Sequence, residues 1–148
     1  MFYSVSGDSW PVQVGFSAFH NESRSYIFEE PVVFNNVISD VSNSYDPITS
    51  AFTCPISGVY SFTVSLIGQV NQRVRVWLNL ESQRLCQVYI TVSQGYNHGS
   101  NTIVTRCDAG ERVWVESADE VYASLIEKGE ASVFSGALLQ YYELDGDN

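Results

Sequence analysis

Apolar side chains recur at every second position in segment after segment of this chain. Val59-Tyr60-Ser61-Phe62-Thr63-Val64-Ser65-Leu66 alternates strictly, placing Tyr60, Phe62, Val64 and Leu66 on one face, as a half-buried strand of an antiparallel sheet requires. Arg73-Val74-Arg75-Val76-Trp77-Leu78-Asn79-Leu80 repeats the pattern, with Val74, Val76, Leu78 and Leu80 inward and Arg73, Arg75, Trp77 and Asn79 outward. Val12, Val14, Phe16 and Ala18 alternate with Gln13, Gly15 and Ser17 as a first strand. Further strands are predicted over 49–54, 85–92, 102–107, 112–116 and 133–142. Pro55, which has no N–H for a sheet ladder, stops one element, and Gly58 supplies the backbone angles of a tight turn before the next.

Polar segments separate these strands: 20–25, 40–47, Glu81-Ser82-Gln83, the two-glycine loop 93–100, and Asp108-Ala109-Gly110-Glu111. Glu29-Glu30-Pro31 breaks the chain before 32–38, and the single weak helical pattern, 119–130, is opposed by Val121, Tyr122 and Gly129. Nine or ten short strands joined by turns predict an all-β sandwich or barrel. The chain divides into a lead-in over 1–11, one domain over 12–142 and a tail over 143–148.

Composition agrees. The 148 residues are 14% aromatic and only 16% charged, against about 25% charged in ordinary globular domains. The net charge of -10 excludes nucleic-acid or anionic-membrane binding through bulk charge. No run of apolar residues is long enough to span a bilayer as a helix, and no signal peptide is visible at Met1. Asn21-Glu22-Ser23 fits a glycosylation acceptor. Cys54, Cys86 and Cys107 lack the spacing of a zinc site. One disulfide with one free thiol is open to them; Cys86 and Cys107, on different strands, are the pair considered, with Cys54 as a small core hydrophobe.

Five segments in order resemble the globular head domain of complement C1q, in the C1q/tumour-necrosis-factor superfamily. They are Phe16-Ser17-Ala18-Phe19; Val33-Phe34-Asn35-Asn36-Val37-Ile38 with Tyr45-Asp46-Pro47; Phe52-Thr53-Cys54-Pro55-Ile56-Ser57-Gly58-Val59-Tyr60-Ser61-Phe62; Asp108-Ala109-Gly110-Glu111-Arg112-Val113-Trp114-Val115; and Phe134-Ser135-Gly136-Ala137-Leu138-Leu139. Glu111 stands where the family usually has Asp. The resemblance implies a ten-stranded jelly roll assembling as a homotrimer, secreted, binding glycans or microbial surface ligands in innate immunity rather than catalysing a reaction. It resembles a head-only member without a collagen stalk. A receptor-clustering ligand of the tumour-necrosis-factor type, and the trimerisation head of a longer extracellular protein, are the alternative expectations. The resemblance also places Ser61, Thr63, Ser65, Phe134 and Leu138 at the trimer interface.

Two candidate ligand sites come from the residues themselves. Tyr96, Asn97, His98 and Asn101 offer a ring for the apolar face of a sugar and hydrogen-bonding groups for its hydroxyls. The outward row Arg73, Arg75 and Trp77 is a candidate for a carboxylated or sulfated glycan. Some heads of the resembled family bind calcium; Asp40, Asp46, Asp108, Glu111, Asp119 and Glu120 are scattered acids that form no EF-hand loop, so no metal ligand is assigned. His20 and His98 sit in no catalytic motif.

Overall fold

A computed structural model describes residues 12–21, 24–69, 73–118, 123–125 and 132–142. It contains twelve strands: β1 Gly15–His20, β2 Arg24–Tyr26, β3 Asn36–Asp40, β4 Tyr45–Asp46, β5 Ala51–Thr53, β6 Gly58–Gln69, β7 Arg73–Leu80, β8 Gln83–Thr91, β9 Tyr96–Cys107, β10 Arg112–Ser117, β11 Ala123–Leu125 and β12 Ser132–Tyr141. Two antiparallel layers of five strands each face one another. The first runs β3-β1-β12-β6-β9 and the second β8-β7-β10-β5-β4. At one end β11 pairs with both β6 and β7, and with β2, so it bridges the layers. The result is the all-β sandwich that the alternation predicts, in the jelly-roll form that the resemblance implies. The lead-in and tail lie outside the described residues. So does most of 119–130, of which 123–125 is strand rather than helix.

The inward residues make one core. Phe16 of β1 stacks between Tyr45 of β4 (centroids 4.8 Å) and Phe52 of β5 (4.7 Å), and meets Phe134 of β12 edge-on at 4.9 Å. Tyr60, Phe62, Val64 and Leu66 are buried beside them, as are Val74, Val76, Leu78 and Leu80 opposite. Two buried tyrosine hydroxyls find partners within the fold: that of Tyr45 donates to the Phe34 carbonyl and that of Tyr60 to the Ile56 carbonyl, both at 2.6 Å. His20, expected in a polar patch, is fully buried, its Nδ1 2.7 Å from the Val33 carbonyl oxygen.

Several expectations are corrected. The first strand starts at Gly15 and runs to His20 rather than over 12–18. The loop 40–47 contains β4. The expected loop 93–100 is mostly strand: after Gly95 turns at φ 62°, β9 pairs with β6 along the whole length of β6. Its polar composition yields to that long partner, since strand preference depends on neighbours more than on the residue itself. Gly58 has no positive φ; it is needed because a Cβ there would lie 2.8 Å from Leu138 Cδ1 and 2.9 Å from Tyr141 Cα. Gly136 is required likewise, an added Cβ falling 2.6 Å from Phe62 and 2.8 Å from Phe16.

The disulfide joins Cys54 and Cys107, and Cys86 is the free thiol. This replaces the Cys86 and Cys107 pair. Cys54 follows β5 of the second layer, and its N–H and C=O bond the turn at Glu111 and Gly110. That turn follows the end of β9 in the first layer, so Cys54 meets Cys107 across the sandwich, whereas Cys86 pairs with Leu78 within the second layer. Among the described residues no helix is long and apolar enough to cross a membrane.

A non-reduced digest should yield one cross-linked pair containing Cys54 and Cys107, with Cys86 alone alkylated after denaturation. Replacing both bridged cysteines by alanine should cost about 2–4 kcal/mol, since the bond closes a long loop; recovery of a Cys86–Cys107 peptide would contradict the assignment. Burial pushes the Tyr45 and Tyr60 phenols above their ordinary range. Their neutral form is therefore favoured by folding. This contribution is fully present below a pH of about 10 and is lost as pH rises above it. A phenolate absorbance titration should show both ionising only with unfolding, and Tyr45→Phe should narrow the alkaline loss of stability.

Candidate functional site

Three adjacent rows on the outward face of the first layer carry uncharged, mostly small residues. One row crosses all five strands as Ser39, Ser17, Ser135, Thr63 and Thr102. The row on one side is Gly15, Ala137, Ser61 and Val104, and the row on the other is Phe19, Val133, Ser65 and Ser100. None of these positions is charged, in a chain with 17 acidic residues. The Thr63 and Thr102 hydroxyls lie 2.9 Å apart, and Ser65 Oγ lies 2.9 Å from His98 Nε2. An antiparallel sheet facing water ordinarily carries charged and larger polar side chains on that side; this face instead has the charge-poor composition of an interface centre.

Ser61, Thr63 and Ser65 stand on this face. Phe134 and Leu138, expected beside them, do not. Phe134 is 0% exposed and packed against Phe16 and Phe34, and Leu138 packs against the core. The alternation of β12 turns Val133, Ser135 and Ala137 outward instead.

The expected sugar-binding set is split by the pleat of β9. His98, opposite Ile67, points to the outward face, where it meets Ser65. Asn97 and Asn101 turn the other way and donate to the carbonyls of Thr91 (3.3 Å) and Gln87 (3.2 Å) on β8. Their amides thus hold the edges of the two layers together. Tyr96 opens the strand and is 53% exposed. These four residues do not converge on one point.

The outward face of the second layer is different in kind. Directly paired positions place Arg84, Asn79 and Trp114 in one row, and Gln87, Trp77 and Glu116 in the next. Arg75 and Arg84 lie 5.0 Å and 4.6 Å from the Trp77 ring centroid, so the indole is lined by guanidinium groups. Arg75 Nε also donates to Gln87 Oε1 at 2.9 Å. The Arg73, Arg75 and Trp77 row is therefore outward as expected, but Arg75 is already engaged. Asn79, expected to face solvent, is buried on this face. Sequence reasoning passed over Trp114, Arg84 and Glu116, which only strand pairing brings together. Glu81 bonds the side chain and the backbone N–H of Arg112, which holds its carboxyl below the usual carboxylate range.

Among the described residues no three His, Cys, Asp or Glu side chains are grouped to hold a metal ion. Asp40 accepts the Ser44 and Tyr45 N–H groups, Asp46 the Ile48 N–H, and Asp108 the Arg106 guanidinium. Asp119 and Glu120 lie outside the described residues.

The family model for the C1q domain matches residues 15–139. One chain of the human complement C1q subcomponent is 30% identical over 130 residues, covering 86% of this chain and 50% of that protein. The bovine protein HP-25 homolog 2 is 30% identical over 111 residues, covering 74% of this chain and 50% of that protein. The chain spans about half the length of these curated relatives. Among solved structures, the globular domain of zebrafish complement 1qA protein superposes with a TM-score of 0.71 at 24% identity, covering 87% of this chain and 99% of that one. Eiger TNF from S. frugiperda superposes with a TM-score of 0.68 at 15% identity, covering 93% of this chain and 98% of that one. The five sequence segments, the two-layer jelly roll and these matches agree, and the chain belongs to the C1q domain family.

Proposed function

We propose that this chain is the recognition head of an extracellular homotrimer that binds glycans or microbial surface ligands and works by holding its target rather than transforming it. The observation that carries this reading is the uncharged face of the first layer, Ser39-Ser17-Ser135-Thr63-Thr102 and its flanking rows. Small side chains let a neighbour's backbone approach closely, and the absence of charge spares the much larger cost of desolvating ionised groups on burial. In the homotrimer proposed here each copy meets its two neighbours through different parts of this face, a heterologous contact. Such contacts close most simply into a ring.

The buried Cys54–Cys107 bond supports an oxidising, extracellular setting. The second layer's outward face stays open in this arrangement and presents Trp and Arg side chains, the residue types that anchor recognition. Three such faces on one particle convert weak single-site binding into avidity, a gain of about 10²–10⁴ when the target displays repeated ligands.

A charge placed in the middle row tests the reading. Thr63→Arg should reduce the mass in light scattering from three copies to one of 16.5 kDa. It should leave the far-ultraviolet spectrum unchanged, and should lower retention on a glycan array or on bacterial cells about 100-fold. A variant that keeps the assembled mass, or a monomer that keeps full retention, contradicts the proposal.

A further inference from the structure

A hollow of about 430 Å³ opens on the outward face of the second layer, between the β7–β8 turn and the chain before β10's partner segment at Pro31. Asn79 and Trp114 lie on its floor as directly paired neighbours on β7 and β10. Asn79 is only 4% exposed, and its Oδ1 has no hydrogen-bond partner among the described residues; nor has Trp77 Nε1 two positions along the same strand. A buried amide left unsatisfied is costly and calls for an explanation, of which a missing ligand is one. Trp114 is held in place, its Nε1 donating to Glu116 Oε2 at 3.3 Å.

The walls are unusual too. Glu29 and Glu81, which both line the hollow, adopt left-handed backbone at φ 65° and 49°. Such conformations are uncommon outside glycine and gather at binding sites. The carboxylates are answered from within the wall. Arg84 lies 3.9 Å from both Glu29 and Glu116, and Arg112 lies 3.3 Å from Glu81. Among the described residues the hollow therefore holds an aromatic ring, an amide, the Ser82 hydroxyl and paired charges, with no cation left over to attract an anion. A second hollow of about 320 Å³, with Arg112, Thr49 and Pro31 on its wall, shares Trp114 and Glu116 with the first.

We propose that this hollow takes a neutral sugar residue of a glycan, its apolar face against Trp114 and its hydroxyls shared among Asn79, Ser82 and Glu116, with the adjoining hollow receiving the next residue. An aromatic face with amide, hydroxyl and carboxylate groups is the set that hydroxyl-rich, uncharged ligands require. Three glutamates against one arginine in its lining disfavour sialylated or sulfated glycans at this hollow. The inference rests on the glycan-binding reading above and narrows it to one surface and one ligand class.

The test uses the isotopically labelled assembled protein, titrated separately with methyl galactoside, methyl mannoside, N-acetylglucosamine, sialic acid and arginine amide. At least one neutral sugar should shift the Trp114 indole and Asn79 side-chain amide signals saturably, while sialic acid and arginine amide should not. Ser82→Arg, in an exposed turn, fills the hollow without touching the core and should weaken that binding at least about tenfold; Asn79→Leu should do the same, with the assembled mass unchanged in both. Shifts produced by arginine amide alone overturn the proposal in favour of a basic peptide site. Neutral sugars that bind while shifting other residues, or that bind the Ser82→Arg protein undiminished, overturn the placement but leave the glycan reading intact. If no sugar shifts any signal and no glycan array feature is retained, both fall.

Discussion

The stacking of Phe16 between Tyr45 and Phe52 is the contact on which the rest of this molecule depends. Phe16 belongs to the first layer and its two stacking partners to the second, and Phe134 closes the cluster edge-on. Each such pair adds about 0.5–1.5 kcal/mol beyond the area it buries. The larger effect is positional: ring faces less than 5 Å apart fix the spacing and rotation of the layers. Gly136 and Gly58 are forced by crowding within the first layer: a methyl group at Gly136 strikes the Phe62 and Phe16 rings of the strands on either side, and one at Gly58 strikes β12 beside it. The Cys54–Cys107 bond ties the two layers a second time near the turn that precedes β10.

Once the inner faces are committed to each other, the two outer faces are free to differ, and they do. The first layer presents mostly serine, threonine, glycine and alanine, with Phe19, Val133 and Val104 among them, and no charge in three successive rows. The second presents Trp77, Trp114, Asn79, Arg84 and Glu116 in two. A sandwich made of alternating strands gives each function its own surface without competition for side chains. In the proposed assembly one face is used for contact, the other stays unobstructed, and its hollow is repeated once per copy.

The period-two pattern made the architecture legible, because inward residues must be apolar whatever the topology. Strands 59–66, 73–80 and 112–116 appear almost where alternation puts them. Properties that depend on which strands pair were not legible. The segment 96–101 looked like loop because Asn, His, Gly and Ser are poor strand formers; only the length of β6 makes it strand. The cysteine pair depends on two turns meeting across the layers. Asn79 looked exposed by periodicity, and is buried because the flanking strands carry Arg84 and Trp114 directly opposite. Phe134 and Leu138 were placed outward because the resemblance named the strand but not the phase of its alternation, which Phe62 and Phe16 settle. The proposed recognition surface was the least legible part, since its residues come from the segment before Pro31, the β7–β8 turn and β10.

Sedimentation equilibrium of the unmodified chain tests the division of labour between the two faces most directly. A single species of three times 16.5 kDa, unchanged across moderate salt because no ion pairs hold its centre together, is the result this account predicts. A monomer at micromolar concentration would leave the uncharged rows exposed to water without a role and would contradict it.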